Sequence, residues 1–409
     1  MPSPDQDRPQ PRARAFLQTE ASSGVLLLVA VGIALVWVNS PWGSSYERFW
    51  HHVLTLRLGG TGVSTDLRHW VDEGPMSFFF LVVGLEIKRE LVSGELRDRR
   101  AAVLPIAAAF GGMVVPAIVY LACNAGAPGS RGWGIAMPTD IAFGLGVLAL
   151  AIPRAPASVR VFLLSLAIVD DLLTVVVVAI FYSTGVSAGW LGAAVLAAVA
   201  AFVLERTRVN TPVIPIVLGI CMWFSLREAG VSPTLAGVTM GFLTPAVPFR
   251  HVSAEGAAAL SPVTRLEELL HPWTSYLVVP LFALANAGVS FTAEAFDAPG
   301  AGRVGVGIVL ARTLGKILGI AVACWIAVRL RAGRLPRGVG WAHIVGVAAA
   351  AGVPFTVSLF IAEIALGEGA LLPAAKLGIL TAAALAGVAG FVLLRKAERG
   401  RAPGTGDGA

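Results

Sequence analysis

Long apolar runs separated by short polar connectors dominate the chain. A helix needs about 20 predominantly apolar residues to cross a bilayer. Twelve runs approach that length: 22–39, 70–88, 101–123, 132–151, 157–181, 189–204, 212–226, 229–247, 271–290, 304–328, 341–367 and 371–394. The two longer connectors, 40–69 and 248–270, collect the charged and polar residues that the runs exclude. The pattern therefore predicts an all-α polytopic membrane protein with about twelve transmembrane helices. It reads as one transmembrane domain over 22–394, between a polar tail at 1–21 and another at 395–409.

Composition supports that reading. Of 409 residues, 56% are hydrophobic and only 14% charged, and the mean hydropathy of +0.77 exceeds what filling a soluble core requires. The net charge of +6 does not indicate nucleic acid, because the Lys and Arg lie at the ends of apolar runs rather than in a basic stripe interleaved with aromatics. Cys123, Cys221 and Cys324 are far apart in apolar surroundings, which excludes a disulfide framework and a CxxC metal site, and no cofactor is expected. With twelve spans both termini share one side. That side collects 22 Lys and Arg against 7 in the opposite loops, so the positive-inside bias places both termini in the cytoplasm. The expected location is the cytoplasmic (inner) membrane. Trp37, Trp133, Trp190, Trp273 and Trp341 fall near span ends, where an aromatic belt would sit.

The exceptions to apolarity carry the chemistry. Asp140, Asp170, Asp171, Arg312, Lys316 and Glu363 lie within spans, with Glu73 and Glu86 nearer span ends. A charge at mid-bilayer costs roughly 2.5–3.5 kcal/mol on insertion scales, so such residues face a cavity, find partners or are neutralised. Two spans also contain a proline where a helix should continue: Pro138 in MPTDIAFG (137–144) and Pro354 in AGVPFTVS (351–358). Proline removes an internal hydrogen bond and clashes with the preceding turn. Either proline alone is compatible with a simple kink; two at matching places suggest paired broken helices. Asp170 follows Pro138 by 32 residues, and the residue 32 after Pro354 is Ala386, mid-way along the last span. Spans three to five (about 101–181) and ten to twelve (about 304–394) thus read as two three-helix units. Seven helices separate their starts, which makes one inverted, the pattern of a secondary transporter. Where such half-helices meet end to end, an acid beside the N-termini and a cation beside the C-termini would offset the terminal partial charges. Asp140 and Lys316 are placed for those roles. Arg312 and Glu363 both fall in the outer half of neighbouring spans, and an outer pair between them is a further expectation.

The stretches FFFLVVGLEIKREL (78–91), MPTDIAFGLGVLAL (137–150), LAIVDDLLTV (166–175), LEELLHPW (266–273), PLFALANAGVSF (280–291), LGKILGI (314–320) and FTVSLFIA (355–362) occur together in one order. In these motifs the chain resembles the NhaA-type sodium/proton antiporters over roughly 16–395. The resemblance implies that Asp170 and Asp171 form the cation and proton site, that Asp140 and Lys316 sit at a helix crossing with Thr139 beside it, and that Lys316 partners Asp170. It places Glu86, Glu267 and His271 toward a cytoplasmic funnel where some members sense pH, and it implies a homodimer through a hairpin in 40–69. Three residues depart from it: Arg312 and Glu363 are not general family features, and Glu268 stands where some members carry a second histidine.

Neighbouring residues on a helix project about 100° apart, so one of the two acids is free to face Na⁺ or Li⁺ while the other faces Lys316. Two carboxylates this close in a low dielectric resist being charged together without a cation. Competition between protons and Na⁺ for them suffices for exchange, with Thr139 or carbonyls freed at the breaks completing a hard oxygen shell. Plainer readings stand beside these: a structural ion-pair cluster for the acidic pair, with Asp170 and Lys316 simply holding two spans together, dipole compensation alone for Asp140 and Lys316, an interfacial acid for Glu86, a capping or interfacial residue for His271 and a first-turn acid for Glu73. An intramembrane aspartyl protease needs its acids on facing helices. A channel would want an open ring of acids or carbonyls. A sodium-coupled solute symporter of similar architecture is the remaining alternative, but the spans offer few polar residues beyond Asn286, Ser165 and Thr174 to line a solute pocket.

Overall fold

The computed structural model describes residues 11–58, 61–207, 213–246, 261–291, 298–336 and 338–400. The ends of both expected tails (1–10 and 401–409) and most of the polar connector 248–270 lie outside the described residues. Among the described residues five helices are long and apolar enough to cross a membrane: Arg99–Asn124, Ala157–Phe181, Ala188–Arg206, Ala301–Arg329 and Leu372–Arg399. Three bent pairs bring the number to as many as eight. Large apolar side chains point outward, among them Val36 and Leu150 at 72% exposure and Leu196 at 69%. Such a surface suits lipid as solvent, and the protein is a multi-pass membrane protein.

The hairpin expected in the 40–69 connector is present, as a strand pair in an otherwise helical fold. There Val53–Leu58 pairs antiparallel with Thr61–Asp66, Val53 opposite Asp66. Asp66 then caps the next helix, Leu67–Glu73, by accepting from the His69 backbone N–H at 2.8 Å. At the N-terminus the first helix begins at Pro11 and runs unbroken to Val38, so residues 11–21, read as tail, are helical. The run 229–247 is helical only over Thr234–Leu243. Pro233 and Pro245 bracket that helix, and Gly230 holds a left-handed turn before it (φ +75°).

The helices group into two units. One comprises Met1–Val25, Asp98–Asp170 and Thr292–Ala409, the other Leu26–Arg97 and Asp171–Phe291. Within the first, two series share one plan of long helix, broken helix, long helix. Pro128–Ala136 and Ile141–Ala151 bend by 53° at one break, and Trp341–Ala351 and Thr356–Leu366 by 50° at the other. The core of this unit joins Leu104, Leu145, Leu148, Phe162, Leu166, Ile320 and Val347. Helix Arg99–Asn124 meets helix 301–329 at two glycines. A Cβ on Gly319 would lie 2.1 Å from the Gly111 carbonyl oxygen, and one on Gly111 would lie 2.3 Å from that of Gly319. Membrane helices gain little hydrophobic drive from packing on one another, so small residues that admit backbone contact determine such crossings.

In the second unit, helix Pro75–Ser93 meets Thr234–Leu243 in the same way, through Gly84, Gly237 and Gly241. A continuous helix, 262–286, passes through a π-helical turn at Thr274–Val278. It starts earlier than the run 271–290 suggested and stops at Asn286. There Tyr46 Oη lies 2.8 Å from the carbonyl oxygens of Leu284 and Ala285, and Asn286 Nδ2 donates to Asp72 at 2.6 Å.

Gly319→Ala is expected to lower thermal stability in detergent by about 1–3 kcal/mol, because backbone stands in the way of the new methyl group. Gly302→Ala on the same helix meets nothing within 4 Å and should be neutral or slightly stabilising. Melting curves of the two purified variants compare them directly.

Candidate functional site

Local chemistry places the two breaks. Pro138 cannot donate a backbone hydrogen bond, so the 3₁₀ segment Pro128–Ala136 ends before it. The chain resumes at Ile141 with Asp140 as N-cap. In the second broken helix Gly352, Val353, Pro354 and Phe355 separate the halves. Gly352 sits where a Cβ would lie 2.7 Å from the Arg312 carbonyl oxygen. Phe143 and Phe355 meet edge to face, with centroids 5.5 Å apart.

Asp140 serves both resumed half-helices. Its Oδ1 accepts from the Phe143 N–H at 3.3 Å, and its Oδ2 accepts from the Thr356 hydroxyl at 2.7 Å and the Thr356 N–H at 3.3 Å. One buried carboxylate thus caps two N-termini and opposes the partial positive charge of each.

The opposite ends are met by cations. The last carbonyls of Pro128–Ala136 and its break point at two side chains from the helix 301–329. Arg312 Nη1 donates to Ala136 O at 3.1 Å and also to Pro138 O, while Lys316 Nζ donates to Met137 O at 2.5 Å. Both side chains are wholly buried. A π-helical turn, Ala311–Gly315, carries Arg312 and immediately precedes Lys316. Such turns widen the helix and recur at functional positions.

Asp170 lies where these elements converge and is fully buried. Its Oδ2 accepts from the Thr139 hydroxyl at 2.5 Å and from Lys316 Nζ at 2.5 Å. Thr139 Oγ1 also lies 3.2 Å from the Ala351 carbonyl oxygen, at the end of the other first half-helix. Oδ1 of Asp170 has no hydrogen-bond partner among the described residues. Asp171, the next residue of Ala157–Phe181, is also buried, and the division into units falls between the two acids.

The structure therefore brings together Thr139, Asp140, Asp170 and Lys316. It does not bring together Arg312 and Glu363, and the outer pair between them is corrected. Glu363 instead pairs with Lys376 at 2.5 Å. Gly367, at φ +58°, turns the chain after Thr356–Leu366, and Lys376 is buried in the first turns of Leu372–Arg399. Two contributors were missed by sequence reasoning. Arg312 bonds the broken helix, which its position one turn before Lys316 could have signalled. Thr356 shares Asp140, and it follows Pro354 closely, as Thr139 follows Pro138.

The residues associated with pH response lie in the second unit. Glu86 is buried in Pro75–Ser93. Glu267, ahead of the apolar run 271–290, is buried and pairs with Arg89 at 2.9 Å. The carbonyl of His271 accepts from the Thr274 hydroxyl at 2.9 Å. Glu73 pairs with Arg227 at 2.7 Å.

Asp140→Ala is expected to destabilise by about 2–3 kcal/mol, since two helix starts lose a cap, and Thr356→Val by about 1 kcal/mol. Thermal unfolding in detergent reads both.

Comparison with known proteins identifies the family of the chain. The sequence profile of the family described as Na⁺/H⁺ antiporter 1 matches residues 14–394. The chain is similar to the Na⁺/H⁺ antiporter NhaA 2 of Sorangium cellulosum, at 43% identity over 97% of this chain and 93% of that protein. It is also similar to the Na⁺/H⁺ antiporters NhaA of an Acidovorax species (44% identity, 91% and 89% covered) and of Nocardia farcinica (43%, 94% and 91%).

Proposed function

Because this chain belongs to the Na⁺/H⁺ antiporter 1 family, we propose that it exchanges Na⁺ or Li⁺ for H⁺ across the cytoplasmic membrane by alternating access, in sodium and pH homeostasis, without a cofactor. The observation that carries the proposal is Asp170. This fully buried acid is held on one oxygen by Thr139 and Lys316, has its other oxygen unengaged among the described residues, and precedes a second buried acid. A sodium ion needs hard oxygen ligands, and the Asp170 and Asp171 carboxylates and the Thr139 hydroxyl are of that kind. Protons neutralise the same carboxylates, so the two ions compete for one site, and that competition couples their movement. A cation at Asp170 also competes with the Lys316 ammonium, which makes the pair part of the exchange rather than a fixed strut. The sodium-coupled symporter alternative gains nothing from the comparisons.

The proposal includes twelve spans. The eight candidates are joined by Pro75–Ser93, Val213–Glu228, Thr234–Leu243 and 262–286, which are too short or too charged to qualify on length and hydropathy alone. The matching bends of 53° and 50° support two inverted units that cross at their breaks. The positive-inside bias supports cytoplasmic termini, and the hairpin 53–66 is the proposed homodimer contact.

Proteoliposomes holding an internal pH dye test the reading. A Na⁺ or Li⁺ gradient is expected to drive opposite proton movement through the wild type, and Asp171→Asn and Asp170→Asn should each abolish it, a loss of about 100-fold or more. Sodium-dependent solute uptake without proton movement would refute it.

A further inference from the structure

Arg312 stands outside the proposed exchange, yet it is the largest fully buried side chain among the described residues. Among the described residues its guanidinium bonds no carboxylate. It is held by the carbonyls of Ala136 and Pro138, while the Lys316 ammonium takes the carbonyl between them, that of Met137. Three successive carbonyls at the end of one half-helix are thus met by two cations one turn apart. The two cations differ in their second obligation. Lys316 also bonds Asp170, whereas Nε and Nη2 of Arg312 have no partner among the described residues. They differ in chemistry as well: a guanidinium stays protonated in proteins, while a buried ammonium is able to give up its proton.

We infer that Arg312 is the fixed cation of the broken helix, a positioning residue that holds the carbonyl end of Pro128–Ala136 and so leaves Lys316 free to part from Asp170 during exchange. A single lysine would have to do both tasks, and every departure from Asp170 or loss of its proton would also leave the broken end uncompensated. With Arg312 in place the break keeps a cation throughout. The charged groups acting on Arg312 are Asp170, from Ala157–Phe181, and Asp140, from the start of Ile141–Ala151, and Lys316 follows one turn later on the same helix. Without the guanidinium, Lys316 would be the one cation of the two left on the broken end and would part from Asp170 less readily.

The inference rests on the antiport reading for its transport arm but not for its stability arm. Wild type, Lys316→Gln, Arg312→Lys, Arg312→Gln and the combination of Arg312→Lys with Lys316→Gln are purified, melted in detergent, and assayed as exchangers over a range of sodium concentrations. Arg312→Gln is expected to lower the melting temperature by roughly 5 °C or more, and Lys316→Gln to lower it clearly less. Lys316→Gln should cost more stability on the Arg312→Lys background than alone, since a lysine forms the two carbonyl bonds less well. In proteoliposomes the sodium concentration for half-maximal exchange should rise several-fold in Arg312→Gln, because Lys316 then releases Asp170 less readily, and return toward wild type in Arg312→Lys, a response that a purely structural arginine would not give. Equal destabilisation by Lys316→Gln and Arg312→Gln, or an Arg312→Gln protein of wild-type stability or unchanged sodium KM, would overturn the inference. If Arg312→Gln cannot be recovered folded, the Arg312→Lys pair of proteins decides: additive losses overturn the inference and larger-than-additive losses uphold it. A wild type that melts normally but moves no protons in response to Na⁺ refutes the antiport reading while the stability comparison still stands.

Discussion

The termini of broken helices inside a membrane are the constraint on which the site depends. Hydrocarbon offers no water to unpaired backbone groups, so irregular backbone survives there only where protein groups satisfy it. Here Asp140 serves the two resumed starts, and Arg312 and Lys316 serve the carbonyls at the end of Pro128–Ala136. Charges that would be costly in an apolar helix are stabilised by the same breaks that need them. That reciprocity explains why prolines, acids and bases gather in one place in a chain that otherwise excludes charge.

The surrounding helices hold this arrangement by contact rather than by hydrophobic drive. Gly111 and Gly319 let two backbones touch, which places Lys316, three residues from Gly319, against the broken helix. The π-helical turn before Lys316 belongs to the same helix. Exchange needs a site whose charges are satisfied yet able to change partners. Asp170 fits, because it shares one oxygen with a hydroxyl and an ammonium rather than being enclosed by several donors.

Much of the site was legible in the sequence because intramembrane charges are rare and each needs a reason. Asp140, Asp170, Asp171 and Lys316 stood out on that ground, and Pro138 and Pro354 marked the breaks. Partner choice was less legible. Arg312 and Glu363 were matched because both fall in the outer half of neighbouring spans, but position along a span does not say which way a helix faces. Arg312 faces the backbone of the broken helix, and Glu363 faces Lys376, which the chain brings alongside after Gly367.

By itself the sequence determined the solvent, the approximate helices, the two interruptions and the residue types at the site, since each follows from local hydropathy, charge or the geometry of proline. Tertiary structure alone decided that one acid would cap two helices, that two cations would share three carbonyls, and that Glu363 would find Lys376. Those outcomes depend on which helix faces meet, and that is determined by close backbone contacts such as Gly111 with Gly319, between residues more than two hundred positions apart.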